Sequence, residues 1–141
     1  MSSERAAIRI DVLLIFLIAY ATASLFHYSH NAEFLNEYPN MPAWLSRAQV
    51  YTAWLGVTAI GLVGYFVVRW RYHTAGLFVL AVYGLLGLDG LGHYAVAPPS
   101  AHTLTMHITI WLEVAMAALL LASVVTCMLR LSQQHPANGP K

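Results

Sequence analysis

The stretch TLTMHITIWLEVAMAALLLASVVTCML, residues 103–129, decides the fold of this chain. Glu113 is the one Asp, Glu, Lys or Arg within it. About 20 predominantly apolar residues are enough for an α-helix to cross the hydrocarbon core of a bilayer. We therefore predict a transmembrane helix over residues 103–129, followed by a disordered cytoplasmic tail over residues 132–141.

Three further apolar stretches precede this one, over residues 8–27, 44–68 and 74–93. Pro42 suits the first turn of the second helix, and Asn40 is a plausible cap for it. The chain is 59% hydrophobic and only 9% charged, whereas soluble domains carry about 25% charged residues. These features predict an all-α integral membrane protein, a four-transmembrane-helix bundle of residues 1–131 with up-down topology.

Basic residues give the expected orientation of the four spans. All but one of them fall on the side of the two termini, and Arg47 is the exception. Short loops on the cytoplasmic side of a membrane carry the excess of Lys and Arg. Both termini are therefore predicted to be cytoplasmic, with loops 31–43 and 94–101 facing outward. We expect a multi-pass protein of the bacterial inner (plasma) membrane.

The first span allows an alternative interpretation as a cleaved secretory signal. Arg5 and Arg9 precede the apolar run, and the small residues Ala21 and Ala23 follow within it, which is a pattern typical of signal peptides. The run is long for a signal, and Asp11 is unusual there. A retained first transmembrane helix is therefore the favoured interpretation.

Charge and cysteine content exclude several classes of function. A formal net charge of +1 leaves no basic surface for nucleic acid. The single cysteine, Cys127, excludes an intrachain disulfide and a multi-cysteine metal site. Because the predicted loops are short, the expected partners are the lipid bilayer and other membrane subunits.

Ionisable residues near one membrane face form the candidate site. Asp89 and His93 are four residues apart and share a helix face, as do His27 and His30 if the first helix continues outward. His107 is expected at a depth similar to that of Asp89. The sequence therefore predicts that these five side chains cluster. Imidazole and carboxylate ligands suit a transition metal such as copper, zinc or iron, and two facing histidines could instead hold haem.

Two glutamates extend this hypothesis. Glu113 lies six residues after His107 and points about 120° away from it on a helix. Its expected role is a proton relay, or a neutral acid hydrogen-bonded across helices to Thr58, Thr22 or Ser24. Glu33 lies three residues after His30, near the end of the first helix. It is a further candidate metal ligand.

Glycines are frequent in the second and third spans. Those of the third span are Gly76, Gly84, Gly87, Gly90 and Gly92. Small residues let membrane helices approach closely, so a tight bundle is predicted. The sequence leaves three functions open, and it leaves open whether the protein is an enzyme. They are a metal-binding membrane protein, a haem-binding electron carrier, and a non-catalytic accessory subunit or lipid-pocket protein.

Overall fold

The computed structural model describes the backbone of residues 2–134 and the side chains of residues 11–133. All the regular secondary structure within that range is helical. Three short 3-10 turns, Leu35–Glu37, Gly87–Leu91 and Pro99–Ala101, lie between or beside the α-helices. The α-helices are α1 (Ser2–Glu33), α2 (Arg47–Arg69), α3 (His73–Leu86), α4 (Gly92–Val96) and α5 (Leu104–Gln134).

Four stretches are long and apolar enough to cross a membrane, as the sequence predicts. They are Asp11–Glu33, Arg47–Arg69, His73–Val96 and Leu104–Gln133. The first helix continues through His30, which the site hypothesis requires. The last helix runs to Gln134, so residues 132–134 of the expected tail are helical. Residues 135–141 of that tail lie outside the described residues.

The predicted start of the second helix is wrong. Pro42 and Trp44 precede the helix, and α2 begins at Arg47 with Ser46 as its N-cap. The Ser46 hydroxyl accepts a hydrogen bond from the Gln49 backbone N–H, while the Gln49 side chain accepts one from the Ser46 N–H. This capping box satisfies two backbone donors that a helix start leaves unpaired. Asn40 has a positive φ of 58° and does not cap the helix.

Ser46→Ala is expected to lower the free energy of unfolding by about 1 kcal/mol, because the cap at the start of α2 is lost. Reversible unfolding in mixed dodecyl maltoside and dodecyl sulfate micelles measures this change. Ser123→Ala is the matched control, since Ser123 is half-buried in the interior of α5, away from a helix start, and its hydroxyl bonds to the Leu119 carbonyl of its own helix. Equal stabilities for the two variants would contradict the capping assignment.

The third span is not a continuous α-helix, contrary to the prediction. Residues Gly87–Leu91 form a 3-10 turn between α3 and α4, which we call the 87–91 segment. A Cβ atom on Gly87 would lie 2.5 Å from the Tyr20 hydroxyl and 2.6 Å from the Ala117 Cβ. Glycine therefore lets α1 and α5 press against this segment. A 3-10 stretch within a helix often marks a functional hinge.

The four spans form a ring in which α1 packs on α2, α2 on α3, α3 on α5 and α5 on α1. The tightest contacts use glycines, as when Gly61 faces the Tyr83 ring and Gly64 faces Leu80. The core lies in the half of the bundle where α2 ends and α3 begins. Its buried residues are Leu13, Leu17, Tyr20, Val68, Leu77, Leu80, Tyr83, Ala117, Leu120 and Val124.

The other half of the bundle lies outside this core cluster, and we call it the pocket end. It comprises the ends of α1 and α4 and the beginnings of α2 and α5. A Cβ atom on Gly56, in the first half of α2, would have no atom within 4 Å. The helix α2 packs extensively on α3 but hardly touches the 87–91 segment. Space for a cavity is left on this side of α2.

Candidate functional site

A cavity of about 350 Å³ lies at the pocket end of the bundle. Residues of all four spans line it, so it lies between the helices and not on one of them. The polar residues that line it are His27, Tyr28, Asn31, Gln49, Asp89, His93 and Glu113. Its apolar lining includes Met41, Leu45, Val50, Ala53, Leu86 and Val96.

A polar network crosses three helices at the back of this cavity. The Asn31 amide donates a hydrogen bond of 2.9 Å to His27 Nε2 and a longer one of 3.4 Å to His93 Nε2. His27 Nε2 also lies 3.7 Å from Glu113 Oε2. His27, Asn31 and Glu113 are all more than nine-tenths buried. His27 connects α1 to α5, and the Asn31 amide connects α1 to α4.

Two atoms of this network have no partner within the described residues. They are Nδ1 of His27 and Oδ1 of Asn31, and both are buried. An imidazole that accepts through Nε2 carries its proton on Nδ1, so the network holds one unpaired donor and one unpaired acceptor, and neither atom is accessible from the cavity. Buried polar groups are almost always hydrogen-bonded in folded proteins. These two atoms are therefore exceptions to that rule, enclosed in the interior beside the cavity.

Glu113 lies where the rotation argument from the sequence places it, away from His107. It faces His27 across the bundle, and the Ser24 side chain of α1 lies beside its carboxyl group. A Cβ atom on Gly90 would come within 3.4 Å of Glu113 Oε2, so Gly90 leaves room for this carboxyl. Glu113 is thus part of the polar network and not a separate site.

Asp89 lines the same cavity from the 87–91 segment, yet it is exposed. It has no hydrogen bond or ion pair with any side chain that the structure describes. A carboxylate at membrane depth is costly unless it finds water, a partner or a ligand. Asp89 and His93 face one cavity, as their spacing predicts, but they do not bond to each other.

The cavity opens sideways, between α2 and the third span. Its exposed lining residues are Gln49 and Ala53 on α2, and Leu86, Asp89 and Val96 on the third span. The other network residues, His27, Asn31 and Glu113, are each more than nine-tenths buried. The mouth is therefore on the lateral surface of the bundle, the surface that faces lipid when the four spans cross a membrane.

His107 does not join the cavity, contrary to the prediction. Its Nδ1 atom is 2.7 Å from the Tyr94 hydroxyl, and the two rings stack at 5.5 Å. Trp111 also contacts the Tyr94 ring, and His102 contacts both His107 and Tyr94. His107 therefore pairs with Tyr94 and not with Asp89. These four residues form an aromatic group on α4, α5 and the loop between them, and its His102 ring contacts His93 at 6.2 Å.

His30 is also separated from the other predicted ligands. Its Nδ1 atom is 2.8 Å from the Tyr38 hydroxyl, and the Tyr38 ring in turn contacts His93. Burial raises the pKa of Tyr38 to about 12, so this hydroxyl keeps its proton and donates to His30. Glu33 is not near these rings, because it pairs with Arg47 at 2.7 Å and accepts from Tyr51 at 2.8 Å.

The five predicted ligands are therefore divided among three groups, and the predicted metal cluster does not assemble. Among residues 11–133 no group of three or more His, Cys, Asp or Glu side chains could hold a metal ion. The His27 and His93 rings meet edge to face at 5.2 Å, which is direct contact. This pair has no gap for a haem between its rings.

Asn31 is the functional residue that sequence reasoning missed. It follows His27 by four residues on a helix that continues past it, and this spacing places the two side chains on one face. Its contact with His93 joins positions far apart in the chain, and only the packing of α1 against α4 brings them together.

Comparison with protein-family models, curated proteins and solved structures gave no significant match.

Proposed function

We propose that this chain is a multi-pass membrane protein that binds the head of an amphiphilic membrane molecule in the cavity at its pocket end. The observation that supports this proposal is the lateral mouth between α2 and the third span. A ligand with an apolar chain could leave that chain in lipid while its head reaches the network of His27, Asn31 and Glu113.

The dimensions of the cavity favour a small head. Ligand sites in proteins have volumes of about 300–1,000 Å³, with mostly apolar walls and a few convergent polar groups. A cavity of about 350 Å³ is at the lower end of that range. The apolar residues Leu86 and Val96 beside the mouth suit the first methylenes of a chain.

The positive-inside pattern completes the proposal. It places the pocket end at the outer membrane face, with both termini in the cytoplasm. The cavity would then receive ligands from the outer leaflet. A ligand-holding role agrees with a cavity whose polar lining comes from helices on several sides of the bundle.

Ala53→Phe is expected to abolish binding of a neutral single-chain amphiphile, because the added ring fills the mouth of the cavity. The probe is monodecanoylglycerol, and native mass spectra of protein released from dodecyl maltoside report the fraction that carries one probe molecule. We expect a half-saturating concentration at least about tenfold higher than for the wild type, which corresponds to about 1.4 kcal/mol.

Ala59→Phe is the matched control on the same helix. Ala59 is exposed like Ala53, but it does not line the cavity. Thermal unfolding midpoints show whether either variant is misfolded. Binding by Ala53→Phe that equals binding by Ala59→Phe, or no one-to-one binding by the wild type, would overturn the proposal.

A further inference from the structure

A second cavity, of about 560 Å³, lies at the opposite end of the bundle. It is bounded by the turn between α2 and α3, by the first residues of α3 and by the last turns of α5. The residues that line it are Arg71, His73, Thr74, Met128, Leu131 and Ser132. None of these lining residues is acidic, so a bound anion would meet a guanidinium without a competing carboxylate.

This second cavity lies at the level of lipid headgroups when the spans cross a membrane. The second span ends at Arg69 and the third begins at His73. Trp70 and Tyr72, in the turn between them, are 70% and 68% exposed, and Trp and Tyr are enriched at the headgroup level of membranes. The two apolar lining residues are half-buried on α5 and offer a wall to the first methylenes of an acyl chain.

The described charges are distributed unevenly between the two ends of the bundle. Most of the described acidic side chains lie at the pocket end, and only Asp11 lies in the other half. Three of the four described arginines have the opposite distribution and lie at the end of the second cavity, namely Arg69, Arg71 and Arg130. Both ion pairs among the described side chains are at the pocket end. The guanidinium at the second cavity therefore has no counter-ion from the described residues.

Arg71 occupies a backbone position that glycine usually takes. Its φ of 72° is in the left-handed region. Its N–H donates to the Val68 carbonyl at 3.1 Å, and the Tyr72 N–H donates to the Val67 carbonyl at 3.2 Å. These two bonds form a Schellman motif, which closes a helix and most often has glycine at this position. Because a side chain here costs free energy that glycine avoids, the closure of α2 does not explain the arginine.

A phosphate group matches what the second cavity offers. A guanidinium is always charged, and its planar fork of N–H donors fits two phosphate oxygens. The Thr74 hydroxyl and the His73 imidazole can each donate a further hydrogen bond. The positive-inside pattern predicts this end at the cytoplasmic face, where anionic lipids are concentrated and basic pockets between helices bind their headgroups.

We propose that the second cavity binds the phosphodiester of an anionic phospholipid, with Arg71 as the residue that holds the phosphate. The apolar wall of Met128 and Leu131 favours a lipid over a soluble phosphate, because it gives the start of an acyl chain a surface to contact. This site is separate from the cavity at the pocket end, so the inference goes beyond the proposed function and does not depend on the ligand of that cavity.

Native mass spectra of protein released from dodecyl maltoside test this site. The probe is didecanoyl phosphatidylglycerol, and didecanoyl phosphatidylcholine is the zwitterionic comparison with the same acyl chains. We expect phosphatidylglycerol to half-saturate the wild type at about a tenfold lower concentration than phosphatidylcholine. Equal half-saturation by the two lipids would overturn the inference, as would displacement of phosphatidylglycerol by an equal concentration of inorganic phosphate.

Arg71→Gly separates a binding role from a structural one. Glycine suits the left-handed position, so the unfolding midpoint of this variant should not be lower than that of the wild type, while its preference for phosphatidylglycerol should be lost. Arg71→Gln is a second variant that removes the charge and keeps a side chain. Arg69→Gln is the matched control, because Arg69 is exposed two residues earlier and does not line the second cavity. A preference kept by either Arg71 variant, or lost equally in Arg69→Gln, would contradict the assignment.

Ala53→Phe separates the failure of this inference from the failure of the proposed function, because Ala53 lines only the cavity at the pocket end. We expect this variant to lose monodecanoylglycerol binding and to keep the preference for phosphatidylglycerol. If Ala53→Phe removes that preference, phosphatidylglycerol binds at the pocket end and only the inference fails. If monodecanoylglycerol does not bind but the preference depends on Arg71, only the proposed function fails.

Discussion

Gly76→Ala is expected to lower the free energy of unfolding by about 2–3 kcal/mol, as overpacking of a well-packed interior does. A Cβ atom at this position would lie 2.5 Å from the Val68 backbone nitrogen and 2.8 Å from the Gly64 carbonyl oxygen. Both atoms belong to the backbone of α2, so no side chain can rotate away. Reversible unfolding in mixed dodecyl maltoside and dodecyl sulfate micelles measures the loss.

Gly56→Ala is the control for this prediction, because it is the same change on α2 where a Cβ atom meets nothing within 4 Å. Alanine is favoured over glycine inside a helix by up to about 1 kcal/mol, so this variant should be neutral or slightly more stable. Similar stabilities for the two variants would show that α2 and α3 are not packed through glycine as described.

His27→Leu is expected to destabilise the fold by about 2–3 kcal/mol. Leucine fills much of the space of the imidazole, so the loss comes chiefly from the polar partners. The Asn31 amide loses its 2.9 Å acceptor and the Glu113 carboxyl loses its neighbour, and an unsatisfied buried polar group costs about 1–3 kcal/mol. Unfolding in mixed micelles again gives the free energy.

The double variant His27→Leu with Glu113→Leu is the informative comparison. Replacing both partners of a buried polar pair with apolar groups can be nearly neutral, whereas removing one partner is costly. We therefore expect the second substitution to recover part of the stability lost in the first. Strictly additive losses would mean that the two residues do not interact across the bundle.

The four spans could be predicted from the sequence because each apolar run is long enough to cross a bilayer by itself. The predicted start of α2 was wrong for a local reason. Trp44 extends the apolar run toward Pro42, although the Ser46 and Gln49 spacing of a capping box lies just beyond it. Residues in a loop near a membrane interface can be as apolar as the helix they precede, so hydropathy alone misplaces such boundaries.

The candidate site could be predicted only in part. Helical spacing places Asp89 with His93 and turns Glu113 away from His107, and both relations are found in the structure. Spacing within one helix cannot tell which side chain faces it from another helix. Glu113 contacts His27, and His107 bonds to Tyr94, because of how α1, α4 and α5 pack. A pattern within one stretch of sequence does not predict that packing.

The length of the third span and the orientation of His93 both depend on the conformation of the 87–91 segment. A 3-10 turn rises about 2.0 Å per residue and rotates about 120°, against 1.5 Å and 100° in an α-helix. Over five residues the span is therefore longer by about 2.5 Å, and α4 is advanced by about 100°. A change that converted the 87–91 segment into α-helix would shorten the span. The same change would rotate His93 away from the cavity. In a bilayer, the membrane thickness that acts on span length would therefore also act on the polar network.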